Sequence, residues 1–274
     1  MPEVKRKWLD VVVMGLVIMV ALLPIGVEAY YNYQVEDGLI RNAKLVPTLL
    51  VPGSSASQNR FDTLVSELDQ HRRKHSVIKV TVSKTSLVSI RGKLKRDDHH
   101  PYVVVAFQDN ADGYDNIKKQ AQWLDLALKK LQNKYNFGAI NAIGHSNGGL
   151  ILTRYLEKYH HEKQFNVKKL MTIGTPYNGD EENWETQTMM LKDLIANNTH
   201  LPEKMTVFSV GGADVDTSDG IVPFQSVAKG RQIYQNQVAH YTLIMVTGED
   251  ADHSALPQND EIIDLIQQFI LTNK

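Results

Sequence analysis

Short apolar, β-rich runs alternating with amphipathic stretches constrain this chain more than any other feature. Val46-Pro47-Thr48-Leu49-Leu50-Val51 is an apolar run stopped by Pro52-Gly53, which reads as a buried strand. Residues 61–71 follow, with Phe61, Leu64, Val65 and Leu68 at helical spacing. Residues 77–82 and 102–107 read as strands on either side of a polar stretch that includes 91–100. Residues 114–135 form a long amphipathic pattern, with Ile117, Ala121, Leu124, Leu128 and Leu131 on one stripe. A strand at 139–143 leads through a Gly-rich turn to a helix at 150–159. Further strands are expected at 170–173, 206–210 and 241–246, and a closing helix at 262–271. This alternation implies an α/β fold with a mostly parallel sheet covered on both faces. No internal repeat or low-complexity linker interrupts it, so 30–274 is expected to be one domain. Only the stretch of about 180–204, with Trp184, Met189, Met190, Leu191 and Leu194, breaks the rhythm. It reads as a lid-like insertion, with a solvated surface excursion as the alternative.

Composition narrows the chemistry. The 274 residues contain no cysteine, which excludes disulfides, a Cys nucleophile, Cys-ligated zinc and an iron–sulfur cluster. Thirty basic and 31 acidic residues leave a net charge of −1, without the basic footprint of a nucleic-acid binder. At the N-terminus, Lys5-Arg6-Lys7 precedes an apolar run over 11–23, then Pro24-Ile25-Gly26 and Val27-Glu28-Ala29. Basic, apolar and small-residue regions in that order match a secretory signal cut after Ala29. Pro24, a helix breaker just ahead of the cut, favours cleavage. An uncleaved membrane anchor over 11–27 is the alternative. Either reading places residues 30–274 outside the cytoplasmic membrane, secreted or anchored to it.

Gly144-His145-Ser146-Asn147-Gly148 is a Gly-x-Ser-x-Gly motif with a strand before it and a helix after. A serine on such a sharp turn is exposed at a helix N-terminus, where backbone N–H groups favour developing negative charge. A Cβ at either flanking position would collide with the neighbouring strand or helix, hence the glycines. Ser146 is therefore the candidate nucleophile. A hydroxyl needs a base, itself oriented by a carboxylate. His253, in a polar loop between the last strand and the last helix, can reach back over the strand ends. His160 and His161 sit at a helix tail, and His240 at the opposite end of the last strand. For the acid, the loop after 206–210 offers Asp214, Asp216 and Asp219. Asp219, opening the turn Asp219-Gly220-Ile221-Val222-Pro223, is preferred. The same run fails as a calcium loop, having Asp219 at the sixth position and Gln225 at the twelfth. Oxyanion donors are expected from the backbone of Asn147 and, in the loop after the first strand, of Ser54, with Ser55 possible.

Leu50-Val51-Pro52-Gly53-Ser54, Gly144-His145-Ser146-Asn147-Gly148-Gly149, the run Thr172-Ile173-Gly174-Thr175-Pro176-Tyr177-Asn178-Gly179 and Ser218-Asp219-Gly220-Ile221-Val222-Pro223 together resemble the α/β-hydrolase superfamily. They are most similar to the candidate cell-surface hydrolases of Gram-positive bacteria, relatives of small lipases, from about Val46 to the C-terminus. The resemblance implies Ser146 as nucleophile, Asp219 as acid, His253 as base, and Ser54 with Asn147 as oxyanion donors. Pro52-Gly53 departs from the His-Gly that many relatives carry before the oxyanion loop.

Other signals are weaker. His71 and His75 stand four apart without a third ligand, so no metal is expected, and no cofactor is implied. The basic run 79–96 reads as a solvated hairpin, with contact to an anionic envelope polymer as the alternative. The sequence thus predicts an extracytoplasmic serine hydrolase acting on small-molecule or lipid-like carboxylic esters. Acyl transfer or thioester cleavage on envelope components would use the same residues, and a non-catalytic surface-binding module would be expected to lack one of them.

Overall fold

The computed structural model describes residues 13–16, 18–20, 22–31, 45–70, 74–213 and 217–272. It divides into two units, Met1–Ala43 and Lys44–Lys274. In the first, Val13–Tyr31 is a helix of 19 residues, by length and composition able to cross a membrane. It continues past Pro24, where the sequence predicted a break. A proline forfeits one backbone hydrogen bond, and apolar helices of this kind carry such a residue without ending. Lys5-Arg6-Lys7 lie outside the described residues.

In the second unit the predicted alternation becomes one eight-stranded sheet. Its strands are β1 (Thr48–Val51), β2 (Val77–Val82), β3 (Val88–Arg91), β4 (Tyr102–Phe107), β5 (Ala139–His145), β6 (Asn166–Ile173), β7 (Thr206–Ala213) and β8 (His240–Thr247). They lie in the order β3-β2-β4-β1-β5-β6-β7-β8, parallel throughout except for β2 with β3. Every residue of β1, β4 and β5 is buried. Successive strand residues point to opposite faces, so both faces of the central sheet are covered.

The helices are α1 (Asp62–Leu68), α2 (Tyr114–Tyr135), α3 (Asn147–Lys158), α4 (Met189–Asn197), α5 (Phe224–Ala228), α6 (Gly230–Tyr234) and α7 (Asp260–Leu265). Leu50, Ile143, Ile173 and Val210 of the sheet form one apolar layer with Leu64 and Leu68 of α1 and Ile262 of α7. The predicted stripe of α2 is buried along its length, Ile117 to Leu131. The sequence reading names neither α5 nor α6, which at five residues each are too short to show a helical period; the other differences fall at element ends and have local causes. Gly148 and Gly149 are poor helix formers, so α3 shows its period only from Leu150 although it starts at Asn147. Gly211 and Gly212 extend β7 by pairing with Met245 and Val246, which β-propensity does not foresee. The closing helix passes from α7 into a π-helical turn, Ile266–Ile270.

The excursion over 180–204 holds α4, capped at its start by Thr188, whose hydroxyl accepts the Leu191 N–H. Its apolar residues divide. Trp184 is 55 % and Met189 80 % exposed, whereas Leu191 and Leu194 are fully buried. Asn178 ties the excursion to the strand end by donating to Thr186 O and accepting the Thr188 N–H, at 3.0 and 2.9 Å. Leu191→Ala should therefore cost about 2–5 kcal/mol and lower Tm by about 4–20 °C. A melting temperature unchanged within 1 °C would show that α4 contributes no core packing.

Candidate active site

The strand order fixes where a site can form. From β1 the chain moves to one side of the sheet through β2, β3 and β4, then returns to β5 on the other side of β1. Such a reversal opens a crevice at the carboxyl ends of the two strands. Here those ends carry the Gly53-Ser54 loop after β1 and Ser146 after β5.

Ser146 sits between β5 and α3 with φ 55° and ψ −130°, a strained backbone for a non-glycine residue. The glycines around it are required by space. A Cβ on Gly144 would stand 2.6 Å from the Gly149 nitrogen, and one on Gly148 would overlap the Val51 carbonyl oxygen. The turn is pinned by the Ser146 N–H donating to Ile173 O at 2.8 Å and by the Thr175 hydroxyl donating to Ser146 O at 3.1 Å.

His253 follows β8 and Asp219 follows β7. The fold brings both to Ser146: His253 Nε2 lies 2.9 Å from Ser146 Oγ, and His253 Nδ1 lies 2.7 Å from Asp219 Oδ2. A carboxylate oxygen only accepts, so Nδ1 carries the hydrogen and the Nε2 lone pair faces the serine hydroxyl. Asp219 is itself held from three directions. Its Oδ1 accepts the N–H groups of Ile221 and Val222 at 3.0 and 2.6 Å, and its carbonyl accepts the His253 N–H at 2.8 Å. Both side chains are buried. Asp214 and Asp216, the alternative acids, lie outside the described residues. His240 opens β8 in register with Thr206, at the far end of the strands, and His161 and His200 are exposed. His75, one half of the pair considered for a metal, is bound to Asp69 Oδ1 at 2.8 Å, and His71 lies outside the described residues.

The loop after β1 separates its two candidate donors. The Ser55 N–H donates to Asn110 O at 2.8 Å and is thereby committed, leaving Ser54. Asn147 is the first residue of α3, so its N–H has no intrahelical acceptor. Its side chain adds a contact that the motif does not announce: Nδ2 donates to Ser54 Oγ at 2.7 Å and to Asp112 Oδ1 at 3.0 Å. The amide thus bridges the loops after β1 and β4 across the N-terminus of α3.

Two more residues escaped sequence reasoning. Arg60 Nη2 donates to Ser254 O at 2.5 Å, bracing the residue after His253. His145 Nε2 donates to His253 O at 2.9 Å, with the two rings 4.8 Å apart. Burial first, then the neighbouring His253 and Arg60, hold the His145 imidazole well below its ordinary value of 6.5. The unfolded chain takes up this proton below that pH and the folded chain does not, so stability is lost as pH falls below about 6.5. The difference in urea midpoint between the wild type and His145→Asn should narrow from pH 8 to pH 5. A constant difference would contradict this account.

Residues 39–273 match the family described as alpha/beta hydrolase of unknown function (DUF915). A solved structure from Lactobacillus plantarum WCFS1, described as a candidate cell surface hydrolase, is 44% identical, with a TM-score of 0.77 over 85% of this chain and 94% of that one. A Listeria innocua structure is 26% identical, with a TM-score of 0.76 over 84% and 95%. A lipase-esterase related protein from Clostridium acetobutylicum, 13% identical with a TM-score of 0.50 over 84% and 96%, shares the fold alone. No curated protein matches the chain.

Proposed function

The chain belongs to this α/β-hydrolase family (DUF915), and from that premise we propose that it is a serine hydrolase cleaving carboxylic esters outside the cytoplasmic membrane. The observation that carries the reading is the unbroken line of hydrogen bonds from Ser146 Oγ through His253 to Asp219, at 2.9 and 2.7 Å. For the location, support comes from the apolar N-terminal helix and from the Lactobacillus plantarum relative, which is described as a candidate cell surface hydrolase.

Ser146 Oγ attacks the acyl carbon while its proton passes to His253 Nε2. The carbonyl π electrons move to oxygen, and the resulting oxyanion is met by the N–H groups of Ser54 and Asn147. Asp219 holds the imidazolium through Nδ1. Collapse breaks the bond to the alcohol, which leaves with the proton from Nε2. Water then attacks the acyl-serine, giving its proton to Nε2, and the second collapse returns that proton to Ser146 as the acid departs. The N-terminus of α3 adds its dipole at the oxyanion, where no reorganisation is needed during the reaction.

Stopped-flow hydrolysis of p-nitrophenyl acetate by the full chain checks this reading. Nitrophenolate should appear in a burst of about one equivalent per chain, followed by slower turnover, because acylation and deacylation are separate steps. A chain that releases no nitrophenolate above the buffer rate would overturn it.

A further inference from the structure

We propose that the site takes esters of short acyl groups, acetyl to butyryl, on neutral, hydroxyl-rich alcohols such as sugars. This rests on the serine-hydrolase reading and narrows it. The opening over Ser146 has a volume of about 430 Å³, within the range of small-molecule pockets. On the β1 side its wall is Ser54, Ser55 and Ala56, with Arg60 and Asp112 beyond; on the histidine side it is Ser254 and Ile221. Of these only Ala56 and Ile221 are apolar, and the Ile221 side chain is 62 % exposed at the rim. Among the described residues no leucine, valine, methionine, phenylalanine, tyrosine or tryptophan side chain lines it, so a long acyl chain would have only Ala56 and the rim residue Ile221 to lie against.

The residues that could have supplied such a surface are placed elsewhere. Leu191 and Leu194 are fully buried in the body, and neither they nor Trp184 and Met189 line the opening. What the walls offer instead is hydroxyl groups, one guanidinium and one carboxylate. Arg60 and Asp112 carry opposite charges, so together they give the opening no net charge to select a charged ester. With Arg60 Nη2 bound to Ser254 O and Asp112 Oδ1 bound to the Asn147 amide, the remaining guanidinium hydrogens and Asp112 Oδ2 are the donors and acceptor that neighbouring hydroxyls of a polyol would meet.

A methylene group buried in an apolar groove raises kcat/KM about fourfold, so four more methylenes, from butyrate to octanoate, would raise it about two hundredfold. Here that gain is absent. With the full chain, kcat/KM should fall at least about tenfold from p-nitrophenyl acetate to the octanoate. Methyl 6-O-acetyl-glucopyranoside should be cleaved at least about tenfold faster than hexyl acetate, both being acetates of primary alcohols. A rise in kcat/KM with chain length, or hexyl acetate cleaved as fast as the sugar acetate, would overturn the proposal. The two readings fail separately. Covalent capture of Ser146 by a phosphonate with a preference for octanoate rejects the short-acyl assignment alone, whereas no capture and no turnover of any ester rejects the serine-hydrolase reading beneath it.

Discussion

Asp219→Asn should lower kcat on p-nitrophenyl acetate by about 10⁴-fold while leaving the melting temperature close to that of the wild type. The reason lies in which atoms Asp219 occupies. Its Oδ1 accepts two backbone N–H groups, from Ile221 and Val222, and its Oδ2 accepts from His253 Nδ1. An asparagine keeps its oxygen on the two backbone donors and so turns its NH₂ toward His253. That group donates, which forces Nδ1 to accept and moves the imidazole hydrogen to Nε2. Nε2 then meets Ser146 Oγ with a hydrogen in place of a lone pair, and the proton transfer that activates the serine has nowhere to go. Asp214→Asn, which keeps Asp219 and its bonds to Ile221, Val222 and His253, should be much milder. The opposite ranking would move the acid to Asp214.

The parts of the fold legible in the sequence are those written in local periodicity. Residues 77–82, 102–107 and 114–135 are bounded in the structure as the sequence predicts, because β-branched runs and a 3.6-residue stripe are statements about near neighbours. The Gly-x-Ser-x-Gly turn is equally local: strand, strained serine and helix follow one another without a break from Ala139 to Lys158. Contacts between distant segments were not legible. Arg60 and Ser254 are 194 positions apart, and Asn147 and Ser54 are 93 apart. Nothing near Asp112 marks it as an acceptor for Asn147. Likewise, an apolar residue on a charged excursion reads the same whether it covers a substrate or fills the core. Only the burial of Leu191 and Leu194 beside the exposure of Trp184 separates these possibilities. Among the three aspartates after β7, spacing alone could not choose. Its turn favours Asp219, and the two backbone N–H groups that this turn aims at Oδ1 give the preference a physical basis.

The nucleophile is the claim on which the rest depends. Ser146 is held in strained backbone at the start of α3, with His253 Nε2 2.9 Å from its hydroxyl. A serine so activated attacks phosphorus as readily as carbon, displacing fluoride from a fluorophosphonate to form a stable phosphonyl ester that water does not release. An ordinary surface serine, with no base beside it, does not react on the same timescale. Treating the full chain with a fluorophosphonate and mapping the adduct by peptide mass spectrometry therefore tests the account most directly. One equivalent should be found on Ser146, with none on the Ser146→Ala variant, which should also lose ester hydrolysis by about 10⁴-fold or more. An adduct on any other serine, or Ser146→Ala labelled and active as the wild type, would contradict it.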